Sequence, residues 1–148
     1  MKTDKFGVEY TVDGETLISC PEDYIGEYVI PDGVMEIGEG AFSGCSSLTS
    51  VIIPESVRFL GENAFCECTS LVSVSLPKNL IKIERGTFEF CQSLESIIIR
   101  NPKLDICEDS GAFDGCDLLR KIVIPAGSTK HFAGLEGFDV VRNLMVEE

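Results

Sequence analysis

The chain has 148 residues, 44% hydrophobic and 25% charged, a balance that excludes a disordered polymer and fits one folded domain spanning the whole length. Its 25 acidic and 12 basic side chains give a formal net charge of -13, which repels phosphate backbones and anionic lipid. Nucleic-acid partners and membrane insertion are therefore disfavoured against a protein partner, and no segment is apolar long enough to span a bilayer.

Residues 1–10 carry Lys2 and Lys5 with no apolar run behind them, unlike a signal peptide. As it stands the sequence reads as cytoplasmic, and as secreted or cell-surface if a leader has been removed. Val8, Tyr10 and Val12 alternate with Glu9 and Thr11, and Asp13-Gly14 precedes Leu17-Ile18. This predicts a hairpin with a type I′ turn, within a cap over residues 1–24. A first strand is expected over 25–30, with Tyr28 and Ile30 inward.

Residues 25–125 repeat. Phe42, Phe65, Phe88 and Phe113 are spaced 23, 23 and 25, as are Cys45, Cys68, Cys91 and Cys116. Leu48, Leu71, Leu94 and Leu119 keep the register, as do Val51, Val74, Ile97 and Ile122, and Ile53, Leu76, Ile99 and Ile124. Ile37, Leu60, Ile83 and Ile106 hold a strict 23, which places two extra residues between Ile106 and Ala112. Within one unit Val51 and Ile53 share a strand face and Ser50 and Ile52 point the other way. Pro54 lacks an N–H and ends the ladder, Gly61 permits a bend, and Ala64, Phe65 and Cys68 come from a turn or short helix. One unit cannot bury its apolar side alone, so units stack and like residues form columns.

Beyond the repeats, Ser128 or Thr129 is placed to N-cap a short helix through Leu135. Residues 138–146 read as a closing strand, with Phe138, Val140 and Leu144 packing and 126–148 as the C-terminal cap.

Residues 30–51, IPDGVMEIGEGAFSGCSSLTSV, carry the pattern Ile-Pro-x-x-Val-x-x-Ile-Gly-x-x-Ala-Phe-x-x-Cys-x-x-Leu-x-x-Val, and 53–74 repeat it with Leu60 for Ile. The pattern resembles the BspA-type bacterial leucine-rich repeat. The third unit departs at Glu84 and Thr87, and the fourth at Arg100, Asn101-Pro102 and Cys107. The resemblance implies a β-rich α/β leucine-rich-repeat solenoid: a right-handed coil, one parallel sheet of about five strands, turns, 3-10 or helical segments on the other side, and capped ends. It also implies a bacterial surface or secreted protein engaged in adhesion.

Seven cysteines cannot all pair within one chain. Four in register invite a zinc reading, but a ladder sets sulfurs in a line about 5 Å apart, whereas tetrahedral ligands converge on one point. Small buried hydrophobes with free thiols are expected instead. Cys66, Cys20 and Cys107 lie off the ladder. His131 is the only histidine, beside Phe132, and no phosphate loop, dinucleotide fingerprint or nucleophile elbow is present, so no enzyme, cofactor or metal is expected.

Binding is expected on the outward face of the long strands. One outward column is Val29, Ile52, Ser75, Ile98 and Val123; the other is Glu27, Ser50, Ser73, Ser96 and Lys121. Aliphatic side chains facing solvent mark a contact surface, although β-propensity alone also places Ile and Val in strands. The partner is expected to be a protein, on a host or cell surface. The alternative is a structural module whose face pairs weakly with its own copy. The second candidate is the insertion, at Glu108, Asp109 and Ser110 within a run of acids that includes Asp105, Asp114 and Asp117. A solvated bulge competes with that reading, and no calcium-loop spacing is present. Five rungs span roughly 24 Å and four-residue strands roughly 13 Å, short of the roughly 800 Å² per partner of a standard interface.

Overall fold

Each repeat forms a long strand, a tight turn at proline or its substitute, a two-residue strand and a second, wider turn. The computed structural model describes residues 1–139 and 141–148. In chain order the strands are β1 (Lys2–Thr3), β2 (Glu9–Tyr10), β3 (Thr16–Ser19), β4 (Gly26–Val29), β5 (Glu36–Ile37), β6 (Leu48–Ile52) and β7 (Phe59–Leu60). They continue with β8 (Ser73–Leu76), β9 (Lys82–Ile83), β10 (Ser96–Ile99), β11 (Asp105–Ile106), β12 (Lys121–Ile124) and, after a helix α1 (Thr129–Ala133), β13 (Met145–Glu147).

The long strands stack in parallel as expected, in two ladders, β4–β6 and β8–β10–β12–β13. The Val72 N–H donates to Thr49 O at 3.4 Å and carries the stack across the junction. Instead of a single sheet, the fold has a second: the two-residue strands β5, β7, β9 and β11 join β3 in parallel, and β1 and β2 add antiparallel. The wider turn forms a third set of rungs, in which alternate N–H groups of one coil donate to carbonyls of the next. Phe42 N bonds Ala64 O at 2.8 Å, Phe65 N bonds Thr87 O at 2.9 Å and Phe88 N bonds Ala112 O at 2.9 Å. Every backbone stretch of a coil thus finds partners in its neighbours, as a buried backbone requires.

The interior is a set of columns. Phe42, Phe65, Phe88 and Phe113 stack with centroids 5.0, 5.7 and 6.2 Å apart and planes within 10°. Tyr28 extends the column by 6.0 Å at one end and Phe138 by 5.8 Å at the other. Six rings thus run through the molecule, each contributing about 1.5–3 kcal/mol by burial. The aliphatic columns flank them and are buried throughout, except that Leu119 is only partly covered.

Gly61 is needed for a reason other than a bend. Its φ is not positive, but a Cβ there would lie 2.7 Å from Glu39 Cα, so the coils approach too closely for a side chain. The N-terminal hairpin forms without a type I′ turn. Asp13 does not take positive φ; Gly14 alone does, and its N–H donates to Thr11 O at 2.9 Å. Val12 is consequently exposed at the loop, while Val8 and Tyr10 cover the first coil.

At the other end the closing strand is shorter than expected. Two 3-10 turns, Glu136–Phe138 and Arg142–Leu144, precede β13, because Phe138 is drawn inward onto Phe113. Helix α1 ends at Ala133, not Leu135, and its N-terminus is not capped by Ser128, whose hydroxyl bonds Pro125 O. Glu147 serves instead, accepting the Thr129 N–H at 3.0 Å. Val140, read as a packing residue of the closing strand, lies outside the described residues.

Candidate interaction face

The alternation of the long strands puts Tyr28, Val51, Val74, Ile97 and Ile122 inside and their neighbours outside. Along the outer face Val29 pairs in register with Ile52, Ser75 with Ile98, and Ile98 with Val123. The parallel column runs Glu27 to Ser50, then Ser73 to Ser96 to Lys121. Val29, Ile52 and Ile98 are 56%, 49% and 40% exposed, and Ser75 is exposed between the last two.

Val123 departs from the expectation. It faces outward but is only 9% exposed. It forms the floor of a groove of about 870 Å³, together with Ile98, Arg100, Pro125 and Glu148. β13 pairs alongside β12 and brings Glu148 over it. The groove lining is charged: Arg100 bonds Glu55 at 2.7 Å, and Glu148 bonds Lys121, which lies outside the groove, at 3.2 Å, both pairs exposed. Exposed pairs of this kind contribute about 0–1 kcal/mol each and leave their charges available. At the opposite end the Ser50 hydroxyl donates to Glu27 at 2.8 Å, holding that carboxylate over the face.

The insertion is only partly a surface. Glu108 and Asp109 are exposed, Asp109 with φ of 48°. Ser110 is buried, contrary to expectation: its hydroxyl accepts the Ala112 N–H at 3.2 Å and its carbonyl accepts Gly86 N–H at 2.8 Å. The rung hydrogen bonds of the wider turn must continue through the extra residues, and Ser110 is the residue that carries them. A cleft of about 550 Å³ lies between this loop and the C-terminal cap, lined by Arg85, Asp109, Asp114 and Glu136 among others.

A second exposed apolar group went unread in the sequence. Phe59 lies outward on the narrow sheet between Glu36 and Lys82, with Met35 and Ile81 exposed nearby. The pairs Met35-Glu36, Arg58-Phe59 and Ile81-Lys82 each hold one apolar and one charged residue, a signal hidden by the brevity of the strands.

The cysteines are structural. All seven are free. Cys68 donates its Sγ–H to Phe42 O at 3.1 Å, Cys91 to Phe65 O at 3.1 Å and Cys116 to Phe88 O at 3.0 Å. Burial drives these thiols away from ionisation, and Cys116 is pushed up to about 12. Burial also raises Cys66, with Glu89 and Glu67 adding to it. His131 bonds Leu104 O at 2.9 Å through Nε2 and packs edge-on against Phe132. Among the described residues no group of three or more His, Cys, Asp or Glu is placed to hold a metal ion, and no helix is long and apolar enough to cross a membrane.

This arrangement of stacked Phe, Cys and aliphatic columns matches a known sequence family, the BspA type leucine rich repeat region, with six copies over residues 21–134. The chain belongs to the BspA-type leucine-rich-repeat family. Solved structures agree in fold. A leucine-rich-repeat protein of Treponema pallidum is 22% identical with a TM-score of 0.62, over 84% of this chain and 72% of that one. One from Eubacterium ventriosum is 25% identical with a TM-score of 0.71, over 84% of this chain and 33% of that one. A leucine-rich cell surface protein of Faecalibacterium prausnitzii is 27% identical with a TM-score of 0.63, over 88% of this chain and 40% of that one. This BspA-type chain therefore spans less than half the length of the last two. No curated protein matches it.

Proposed function

We propose that the chain is a non-catalytic interaction scaffold of the bacterial surface leucine-rich-repeat type, whose long-strand outer face contacts a protein. The observation that carries this reading is the column of Val29, Ile52 and Ile98, roughly half exposed on a rigid sheet where polar residues cost nothing. Likeness to a leucine-rich cell surface protein supports a place at the cell surface, and the BspA-type resemblance supports a role in adhesion. The serine column offers hydroxyls that bond to either donors or acceptors. Glu108 and Asp109 form a secondary contact at the insertion. With an area of roughly 300 Å², the face binds weakly alone and gains strength from adjoining edges or from several copies.

The test is capture from host-cell or bacterial envelope extract on the immobilised chain, set against Ile52→Asp and Ile98→Asp. Each variant is expected to reduce capture of the same species at least about tenfold, since a carboxylate would be desolvated at the contact. Stability should fall by no more than the about 1 kcal/mol that strand propensity spans, because both side chains lie outside the core, so the fold persists. Equal capture by both variants would remove this face from the function.

A further inference from the structure

Cys20 lies off the cysteine ladder in sequence but beside it in the fold. Its N–H donates to Ala41 O at 2.7 Å, as Phe42 N–H donates to Ala64 O at 2.8 Å and Phe65 N–H to Thr87 O at 2.9 Å. Its carbonyl accepts the Cys45 thiol, as Phe42 O accepts that of Cys68. By both bonds Cys20 holds the phenylalanine place of the first coil, whose ring is supplied by Tyr28 against Phe42. A short side chain ending in sulfur therefore sits next to the first thiol of the column. We infer that Cys20 and Cys45 are a disulfide-forming pair, oxidised by small-molecule disulfides to a bond that fastens the N-terminal cap to the coil above it. The inference goes beyond the contact face and does not depend on what that face binds.

The two side chains already touch: the thiol of one hydrogen-bonds that of the other. The carbonyl bonds show the same turn of the side chain. Cys68, Cys91 and Cys116 hold Sγ at 3.1, 3.1 and 3.0 Å from their phenylalanine carbonyls. Cys45 holds it 3.8 Å from Cys20 O, and its nearer acceptor is Pro21 O at 3.5 Å. Its thiol has thus left the place that its counterparts keep. The bond from Cys20 holds the Cys45 thiol below its ordinary value, against burial and against Glu22 and Asp23, and the same bond, with burial, raises Cys20. In the rest of the column burial raises every thiol. Cys45 is therefore the column thiol disposed to ionise, and it lies next to a sulfur that it can attack.

Cys20 is 6% exposed and Cys45 fully buried, which orders the two steps. The Cys20 sulfur, as thiolate, attacks a sulfur of the small disulfide; a mixed disulfide forms and one small thiolate leaves. The Cys45 thiolate then attacks the Cys20 sulfur, the Cys20–Cys45 bond forms and the second small thiolate leaves. Both cysteine protons end on the two released thiols, and the pair gives up the two electrons that the reagent gains. The closed loop, residues 20–45, contains β4 with Glu27 and Val29, so the bond fixes the first rung of the outer face together with the cap. Restricting the unfolded chain in this way stabilises the fold.

Thiol trapping tests the pair. The reduced chain is equilibrated in glutathione buffers of rising oxidised fraction, quenched in acid, unfolded, alkylated with iodoacetamide and digested with trypsin. Cys20 and Cys45 fall in one tryptic peptide, residues 6–58, which holds no other cysteine. That peptide should pass from two carbamidomethyl groups to none, lighter by two hydrogen atoms than its unalkylated reduced form. Cys68 and Cys91 should stay alkylatable throughout. The thermal midpoint of the oxidised chain should rise by roughly 10 °C and return on addition of dithiothreitol. In Cys20→Ser and in Cys20→Ala the peptide should keep one alkylated cysteine at every step, and oxidation should give no rise. A rise of the same size in these variants would place the effect at other cysteines and overturn the pair. So would a parent peptide that keeps both thiols, or carries glutathione without closing, in the most oxidising buffer.

Discussion

Glu67 takes a left-handed backbone conformation, φ 59°, at a position where two of the four coils use glycine. Each wide turn has two such positions four apart: Gly40 and Gly44, Asn63 and Glu67, Gly86 and Phe90, Gly111 and Gly115. Alternating these with ordinary residues turns every second N–H toward the next coil, so the conformation is required even where the residue disfavours it. Glu67 is exposed, and its N–H donates to Glu89 O at 2.8 Å, a bond that any residue keeps. Glu67→Gly should therefore raise stability by about 1 kcal/mol, through relief of the Cβ clash less the entropy of glycine in the unfolded chain. Urea titration reads this directly; a lower midpoint would contradict it. Gly61→Ala should act in the opposite sense, because the backbone of Glu39 occupies the place of its Cβ. At this scale the sequence yields which residues recur but not why. Gly61 reads as a bend and proves to be a close approach between coils, a contact that exists only after stacking. Ser110 likewise reads as a loop residue, because its bonds are to Ala112 and Gly86 across the insertion.

The elements differ in how plainly the chain announces them. Long strands alternate over four or five residues and repeat five times, so their inward and outward columns are legible. Two-residue strands have no period to read, and the narrow sheet, with exposed Phe59, follows only from neighbouring coils. The C-terminal cap shows the same limit. Glu147 lies 18 residues from Thr129, yet it accepts both its backbone N–H and its hydroxyl, fastening β13 to the start of α1. The Thr129 hydroxyl, then the surrounding backbone N–H groups, hold the Glu147 carboxyl below the ordinary glutamate value of 4.5. A carboxyl depressed on folding contributes stability that is present above its unfolded pKa and is lost as pH falls through its folded pKa. The Thr129 amide resonance should therefore titrate with a midpoint below 4.5, and the cap should loosen in that range. In Glu147→Gln the titration should vanish. A midpoint at the ordinary value, or an unchanged titration in the variant, would mean that Glu147 does not close the cap.

The whole molecule is a line of coils, each packed mainly on its neighbours although Arg100 reaches across one coil to Glu55, and a column of six rings, the middle four stacked, forms its axis. Stability in such an array is approximately a sum of coil terms and nearest-neighbour terms, and cooperativity depends on the latter. Phe65 lies between Phe42 and Phe88, fully buried and stacked on both. Removing its ring should cost about 3–5 kcal/mol, from lost transfer energy and the void left behind. It also severs two stacking contacts worth about 0.5–1.5 kcal/mol each, which are the neighbour terms at that point. Phe65→Ala should thus lower the urea midpoint and also reduce the slope of the transition, as the coils on either side begin to unfold separately. Phe132→Ala tests the distinction. Phe132 is equally buried but contacts the end of the column edge-on at Phe138, so its loss should lower the midpoint and leave the slope nearly unchanged. Equal slopes in Phe65→Ala and the parent would mean that the aliphatic columns and the backbone rungs, and not the rings, make the coils unfold as one.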